Sequence, residues 1–243
     1  MNQSDYTNSS IHNDVALKIA SSLTVPDISS LSCCSRVWRE IWGSDYVWEP
    51  LFKQRWPLLY KETMKDPNFK GWKGFYIKQH KEMRDQAESV IKFVEQCSKS
   101  ESLQVNDHLK AVECLKSLQF GFKDVQMLLF KQKLSVLLNL VGLHYCLNIL
   151  RVPASDVKEV LESSKIFDRQ VHVKWWKLGR WFYGFRMRDE FHSRCLSLED
   201  LATFKDDTDV LGVLHRGAIH EVLEVQISVV NSTSSAWLNL SSQ

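Results

Sequence analysis

The sequence predicts an α+β protein in which helices extend to about residue 165 and a small, mainly antiparallel sheet follows. Two observations support this prediction. Up to that point apolar residues recur every three or four positions, which is the periodicity of amphipathic helices. From about residue 166 they recur at every second position, which is the periodicity of half-buried strands. No internal repeat is evident, which excludes leucine-rich, kelch and WD40 architectures.

Short amphipathic helices are predicted near the N-terminus. Val15, Ile19 and Leu23 stand four residues apart, so they share one face of the first helix. The Pro26-Asp27 turn starts a second helix, which ends at Gly43. The second helix carries Ile28, Leu31, Cys34, Trp38 and Ile41, and a third apolar cluster contains Val47, Trp48, Leu51, Phe52 and Trp56. Because so small a unit has little core of its own, it needs neighbouring elements or a partner for stability.

Residues 58–165 are predicted to form a helical region. Helices are expected near residues 77–97, 106–119, 125–150 and 154–163. Asn106 or Asp107 is expected to cap the second of these helices, and Asp124 the third. The third is expected to be one kinked helix or two helices, with the break at Gly142.

The uncharged stretch Leu134–Leu150 reaches the lower length limit of a membrane-spanning helix. It contains Asn139, His144 and Asn148, and polar groups are costly within lipid. We therefore interpret the stretch as a core helix and expect no membrane partner.

Strand alternation is clear in the region 166–231, which is predicted to be α+β. The alternating segments are Val171–Trp175, Trp181–Met187 and Leu223–Val229. The first two are separated by five residues that include Lys177-Leu178-Gly179, so they are predicted to pair as a hairpin. Val210–Leu214 is a short apolar run, which we predict to be a buried strand. Ser197-Leu198-Glu199-Asp200 has the pattern of a capping box before a short helix.

Composition places the chain among ordinary globular proteins. It has 243 residues, 44% of them hydrophobic, and a net charge of +2, so charge indicates neither nucleic acid nor a membrane surface as a partner. The cysteines lack Cys-x-x-Cys spacing, which argues against a structural zinc. Residues 1–10 carry no export signal, so we expect a disordered tail and a location in the nucleus or cytoplasm. The Ser-rich residues 232–243 are expected to form a loose second tail.

An ordered set of residues distinguishes residues 11–57 from an unspecific helical lobe. In chain order its members are Asp14, Val15, Ile19, Leu23, Asp27, Ile28, Leu31, Ser35, Arg36, Trp38 and Trp48. Their identities and order resemble an F-box. Two positions depart from the F-box pattern, because Ile11-His12 replaces the opening Leu-Pro and Cys34 replaces the usual Val before Ser35. Ile11 still supplies an apolar side chain, but His12 cannot fix the backbone as proline does.

The resemblance implies a substrate receptor of SCF-type cullin–RING ubiquitin ligases. Such a receptor binds a Skp-type adaptor, reaches the cullin and the RING protein through it, and presents a target protein for ubiquitination and proteasomal degradation. The adaptor contacts that the resemblance implies are Ile11, Val15, Ile19, Leu23, Ile28 and Leu31. The implied F-box core residues are Cys34, Trp38 and Trp48. Beyond residue 57 the chain loosely resembles plant F-box proteins without repeat domains, and region 166–231 would recognise the target.

The aromatic and basic run at residues 175–187 allows three interpretations. Its alternation favours a hairpin with one buried aromatic face. Aromatic rings between cations would suit single-stranded nucleic acid, but the nearly neutral chain disfavours that partner. In the third interpretation, Trp181, Tyr183 and Phe185 form an exposed patch that recognises the target, because Trp, Tyr and Arg dominate binding hot spots. The sequence leaves the first and third interpretations open.

Evidence for catalysis is thin. His192 and Cys195 lie close together behind Asp189 and Glu190, but proximity along the chain does not provide the geometry of a Cys–His pair. Phosphate-binding glycine loops and Gly-x-Ser-x-Gly are absent from the sequence. We therefore expect no catalytic residue, no metal and no cofactor. The alternative hypothesis is an enzyme or a small-ligand-binding protein that begins with an unrelated helical lobe.

Overall fold

The computed structural model describes residues 15, 18–19, 23, 25–34, 36–64, 71–98, 101–203, 209–218 and 221–230. Helices form the N-terminal and middle parts of the chain and a small antiparallel sheet forms in the C-terminal part, which confirms the predicted α+β class. The chain divides into two compact units, Met1–Glu82 and Met83–Gln243. Ile11 and the two predicted tails lie outside the described residues.

The described part of the N-terminal unit is helical. Its helices are α1 (Val25–Cys34), α2 (Arg36–Gly43), α3 (Asp45–Arg55), α4 (Pro57–Thr63) and the first part of α5 (Trp72–Cys97). An aromatic cluster fills the interior around Phe52, which is fully buried. The Phe52 ring centroid lies 5.1 Å from that of Trp56, 5.4 Å from that of Trp72 and 5.2 Å from that of Phe75. Ring packing of this kind joins α3 to the start of α5.

The C-terminal unit combines helices with the sheet. Its helices are α6 (Val105–Ser117), α7 (Phe122–Leu128), α8 (Val136–His144), α9 (Ala154–Ser163), α10 (Leu198–Thr203) and α11 (Asp209–Arg216), and α8 continues into a π-helical turn (Tyr145–Ile149). Its strands are β1 (Ser102–Gln104), β2 (Gln170–Lys177), β3 (Trp181–Phe182), β4 (Phe185–Arg186), β5 (Glu190–Ser197) and β6 (Val222–Val229). Helices α6 and α8 pack against the sheet.

The main sheet has four strands in the order β1-β6-β2-β5, and all neighbouring strands are antiparallel. Val173 pairs with Ile227 and Trp175 pairs with Val225, so these side chains lie on one face of the sheet. All four are buried, as is Val171. The alternation that predicted β2 and β6 therefore arises from one buried sheet face.

The strand that pairs with β2 is β5, and the prediction that Trp181–Met187 would pair with it is wrong. The register places Trp175 opposite His192. Residues 181–186 form a separate two-stranded hairpin, β3–β4, in which Trp181 lies opposite Arg186. Both segments alternate, so periodicity alone could not select the correct partner.

Two further element predictions are wrong. Val210–Leu214 belongs to helix α11, and Val210, Val213 and Leu214 are buried at the spacing of a helix face. A run of only five residues is compatible with both the helix period and the strand period, which explains the wrong prediction. The predicted helical region also contains β1, whose Leu103 is buried and pairs with Ile227.

The predicted break at Gly142 is wrong as well, because Gly142 lies inside α8. The break falls earlier, between the end of α7 at Leu128 and the start of α8 at Val136. A Cβ atom added at Gly142 would lie 3.0 Å from side-chain carbons of Phe130 and Val125. Gly142 therefore permits close packing of α8 against the α7 region.

The predicted caps have mixed outcomes. Helix α6 follows Gln104 directly and has no side-chain cap, so the prediction of Asn106 or Asp107 is wrong. The Gly121 amide donates to Asp124 Oδ2 at 3.1 Å, which confirms Asp124 at the start of α7. Before α10, the Ser197 amide donates to Asp200 Oδ2 and the Asp200 amide donates to Ser197 Oγ, both at 3.0 Å. This reciprocal pair is the predicted capping box.

The uncharged stretch Leu134–Leu150 forms the buried core helix α8 and the turn after it, and Asn139 is fully buried there. Its amide nitrogen donates to Leu129 O at 2.7 Å, and its carbonyl oxygen accepts from Arg169. Hydrogen bonds therefore offset the cost of burying this amide. Among the described residues, no helix combines the length and the apolarity that a membrane crossing requires.

Two buried histidines lie side by side in the C-terminal unit. His108 Nε2 lies 2.8 Å from His144 Nδ1. Burial and the neighbouring His144 lower the pKa of His108 well below its ordinary value, and burial and His215 lower the pKa of His144 to about 4. The pKa values of both histidines in the folded chain lie below the unfolded value of about 6.5. At a pH between the folded and the unfolded pKa values, the unfolded chain therefore binds more protons than the folded chain does.

We therefore expect the free energy of unfolding of the full chain to fall as the pH is lowered from about 6.5 to about 4, by roughly 3 kcal/mol from His144 alone. Urea unfolding at a series of pH values measures this loss. His144→Gln should reduce the pH dependence. Equal pH dependence in the variant and the wild type would contradict the assignment.

Candidate functional site

The predicted adaptor-binding residues differ in exposure. Val15 is 51% exposed, and Ile19, Leu23 and Leu31 are half-buried. Ile28 is only 1% exposed and contributes to the interior of the N-terminal unit, so it is not available as a docking contact. The accessible apolar side chains of the predicted docking face are therefore Val15, Ile19, Leu23 and Leu31, which we call the docking residues.

The predicted core residues also separate. Trp48 is buried, and its Nε1 donates to the carbonyl oxygen of Trp42 at 2.6 Å. Trp38 is half-buried and stacks on Trp42, with 5.4 Å between ring centroids. Cys34 is exposed, so the prediction that it lies in the core is wrong. Trp42 is 1% exposed and is therefore a core residue of this unit. It follows Trp38 by four residues on the same helix, and this spacing could have indicated that the two side chains share a face.

Helix α5 extends this unit beyond the predicted segment 11–57. Arg55 is buried, its Nη1 donates to Tyr76 Oη at 2.9 Å, and its Nη2 lies 3.1 Å from His80 Nδ1. The Arg55 guanidinium also lies 4.3 Å from the centroid of the Trp56 ring. These contacts fix α3 against α5. Sequence reasoning did not assign Arg55 a role, because nothing local marks an arginine as buried.

A pocket of about 230 Å³ lies between α1 and the first turns of α5, and Ile28, Trp42, Trp48 and Tyr76 line part of it. Its walls are mainly apolar, so it is suited to an apolar side chain or a small apolar molecule. Trp42 Nε1 is buried without a hydrogen-bond partner. The N-terminal unit thus combines a tight aromatic interior with incompletely filled space.

Comparison with protein families matches residues 9–50 to the F-box domain. The match supports the prediction made from residues 11–57, and an F-box domain indicates binding to a Skp-type adaptor. Comparisons with curated proteins and with solved structures find no significant match. F-box proteins are typically non-enzymatic substrate receptors.

An exposed aromatic hairpin is the main surface feature of the C-terminal unit. We define the aromatic hairpin as residues 181–186, which comprise β3, β4 and the turn between them. Trp181 is 72% exposed, Tyr183 is 88% exposed and Phe185 is 77% exposed. The favoured interpretation, in which these rings form a buried face, is therefore wrong, and the interpretation as a recognition patch stays a prediction.

The turn of the aromatic hairpin explains the exposure. Tyr183 has φ of 47° and Gly184 has φ of 84°, so two successive residues adopt the left-handed conformation of a tight hairpin turn. This turn pairs β3 with β4 in a two-stranded sheet that is separate from the main sheet. All residues of β3 and β4 are exposed, so the rings of this short hairpin face solvent.

Polar contacts hold the base of the aromatic hairpin in place. Arg180 Nε and Nη2 each donate to a carboxylate oxygen of Glu221 at 2.8 Å. Asp189 Oδ1 accepts from the Gly179 amide at 2.9 Å and from Arg186 Nη2 at 3.0 Å, and the Gly179 amide is the main cause that lowers the pKa of Asp189. These contacts orient the rings before any partner binds, which reduces the entropy lost on binding.

The geometry gives no support to a catalytic pair of His192 and Cys195. The residues are three apart on β5, so their side chains lie on opposite faces of the sheet. The His192 ring stacks on Trp175, with 5.1 Å between centroids. Burial raises the pKa of Cys195, which disfavours the reactive thiolate. Within the described residues, no group of three or more His, Cys, Asp or Glu side chains is placed to hold a metal ion.

Tyr183→Ala should change the free energy of unfolding by less than about 0.5 kcal/mol, because exposed side chains contribute little to stability. Thermal melting of the variant and the wild type measures this difference. A loss of about 3 kcal/mol, the cost of removing a buried aromatic ring, would show that Tyr183 packs against the protein in solution.

Proposed function

We propose that the chain is the substrate-recognition subunit of an SCF-type E3 ubiquitin ligase in the nucleus or cytoplasm. The observation that carries the proposal is the F-box domain at residues 9–50, which indicates binding to a Skp-type adaptor. Through this adaptor the chain reaches a cullin and a RING protein. The loose resemblance to plant F-box proteins without repeat domains supports the same role.

The chain acts by proximity in this proposal. Other subunits carry out ubiquitin transfer, while this chain raises the effective concentration of target lysines near the loaded enzyme. Ubiquitinated targets are then degraded by the proteasome.

The aromatic hairpin is the proposed target-binding surface. Its Trp181, Tyr183 and Phe185 rings are exposed and are held on a base fixed by Arg180 and Asp189. Exposed apolar patches mark interaction sites, and aromatic side chains provide most hot spots in protein interfaces. Rigid rings of this kind bury a large area at small entropic cost.

Affinity purification of the tagged chain from cells treated with a proteasome inhibitor tests the proposal. Adaptor and cullin should co-purify with the wild type and with Tyr183→Ala in equal amounts. Proteins that co-purify with the wild type and are lost with Tyr183→Ala are the expected targets, and their abundance should rise when the chain is removed. Failure to recover the adaptor with either protein would contradict the receptor function.

A further inference from the structure

Strand β5 forms a long open edge of the main sheet. It pairs with β2 along its whole length, from Glu190 to Ser197, and no other strand in the described part of the chain lies on its outer side. The opposite edge of the sheet is β1, which has only three residues. Strand β5 contains no proline, and most of its side chains are exposed. Open edges of this length readily pair with another chain.

The direction of the open backbone groups follows from two hydrogen bonds. The Leu198 amide donates to the carbonyl oxygen of Arg169 at 3.0 Å, and Arg169 directly precedes β2. The Ser197 amide donates instead to Asp200 Oδ2. Because residues alternate in an antiparallel ladder, the even-numbered residues of β5 bond to β2. The amide and carbonyl groups of Phe191, Ser193 and Cys195 therefore point to the open side.

The side chains around this edge favour an acidic partner. Residues 170–197 contain two acidic residues, Asp189 and Glu190, and six basic residues, namely Lys174, Lys177, Arg180, Arg186, Arg188 and Arg194. Lys174, Arg188 and Arg194 make no ion pair within the described ranges of the chain. Lys177, Arg180 and Arg186 already pair with Glu221 and Asp189, so Lys174, Arg188 and Arg194 are the cations that an acidic partner would contact.

A peptide suits this surface better than a nucleic acid does. Arg180 beside the aromatic hairpin and Arg186 within it pair with Glu221 and Asp189, which reduces the positive charge available to phosphates. The Phe191 side chain is 55% exposed and lies on the sheet face beside Trp176, so it adds apolar area next to the backbone edge. A peptide can bind to a sheet edge as an added strand. This mode of binding uses a row of open backbone groups, side-chain contacts at alternate positions and nearby apolar area.

We propose that an extended segment of the target, with acidic and apolar residues in alternation, binds to the outer edge of β5 as a fifth strand. Main-chain hydrogen bonds from Phe191, Ser193 and Cys195 provide affinity, and the adjacent basic residues select acidic side chains. The aromatic hairpin contacts the flanking part of the same target. This inference rests on the proposed receptor function and specifies the chemistry of its target.

Ser193→Pro is the decisive variant, with Ser193→Ala as its matched control. Proline removes the outward amide and obstructs an added strand, but it is tolerated at an edge where that amide is not used by the sheet. Both variants remove the Ser193 hydroxyl, which contacts His172, so only the backbone differs between them. Thermal melting and adaptor binding of the full chain establish that each variant is folded.

The probe is a displayed library of random linear dodecapeptides, selected on the full chain. Enriched peptides should alternate acidic and apolar residues, and they should bind Ser193→Ala as they bind the wild type. Ser193→Pro should weaken their binding by at least about tenfold, and raised salt should weaken it further. Equal binding to both variants, enrichment without an acidic preference, or failure to enrich any peptide would each overturn strand addition.

Hydrogen exchange of the wild-type chain provides a test without any variant. In the free protein the amides of His192, Arg194 and Leu196 should exchange slowly, and those of Phe191, Ser193 and Cys195 quickly. An enriched peptide should slow the second set, and unchanged exchange in that set would overturn the proposal. Loss of peptide binding in Tyr183→Ala but not in Ser193→Pro would overturn strand addition while leaving the receptor function intact. Preferential binding of oligo-dT, or dimerisation abolished by Ser193→Pro, would also overturn it.

Discussion

The double variant Ile19→Asp/Leu31→Asp should lose binding to the Skp-type adaptor by at least about a hundredfold, or roughly 2.7 kcal/mol. Both side chains are half-buried apolar residues of the F-box domain, so each can bury its remaining surface in a partner. A carboxylate at either position would be desolvated in the interface without a cation to pair with. The cost of burying such an unpaired charge is several kcal/mol.

Lys18→Asp is the control for this change, because Lys18 is exposed and adjoins Ile19 in the same helical segment. It introduces the same side chain at a position outside the docking residues, so adaptor binding should persist. Circular dichroism and thermal melting establish whether the double variant is folded. A folded double variant that captures the adaptor at the wild-type level would show that the docking face is wrongly placed.

Phe52→Ala should reduce the free energy of unfolding of the N-terminal unit by about 3–5 kcal/mol, the range for large aromatic deletions in cores. Phe52 is fully buried, and its ring packs against Trp56, Trp72 and Phe75. Its removal therefore leaves a cavity between α3 and α5 that rigid aromatic neighbours cannot close. Urea unfolding followed by tryptophan fluorescence measures the loss.

Tyr46→Ala is the matched control for Phe52→Ala, since Tyr46 lies on the same helix but is 70% exposed. Its replacement should change stability by no more than about 0.5 kcal/mol. Similar losses for the two variants would contradict the assignment of Phe52 to the core.

Much of the N-terminal unit could be predicted, because helical spacing and residue identity indicated the same segment. Trp48 is buried as predicted, and the predicted helix end at Gly43 is correct, but the single helix predicted from Pro26-Asp27 to Gly43 is two helices, α1 and α2. Ile28 and Cys34 were misplaced, because spacing shows that residues share a face but does not show which partner covers that face. Trp42 was not predicted to be a core residue, because the F-box pattern has its tryptophans at the positions of Trp38 and Trp48.

In the sheet, alternation predicts strands but does not predict which of their side chains are buried. Alternation located β2 and β6 correctly, since one face of each is buried against helices. The same alternation at Trp181, Tyr183 and Phe185 does not mark one strand, because Tyr183 and Gly184 have positive φ and turn the chain between β3 and β4. Burial depends on what lies opposite a strand, and the sequence of that strand does not contain this information. The base of the hairpin depends on Glu221, which is distant along the chain and gave no local signal.

Reconstitution from purified components tests the receptor function most directly. The full chain is mixed with a Skp-type adaptor, a cullin and a RING protein, and the mass of the eluted complex is measured by light scattering during gel filtration. One copy of the chain should elute with the other three subunits, and omission of the adaptor should release it. If the chain elutes alone although the adaptor, cullin and RING protein assemble with one another, the receptor function is contradicted.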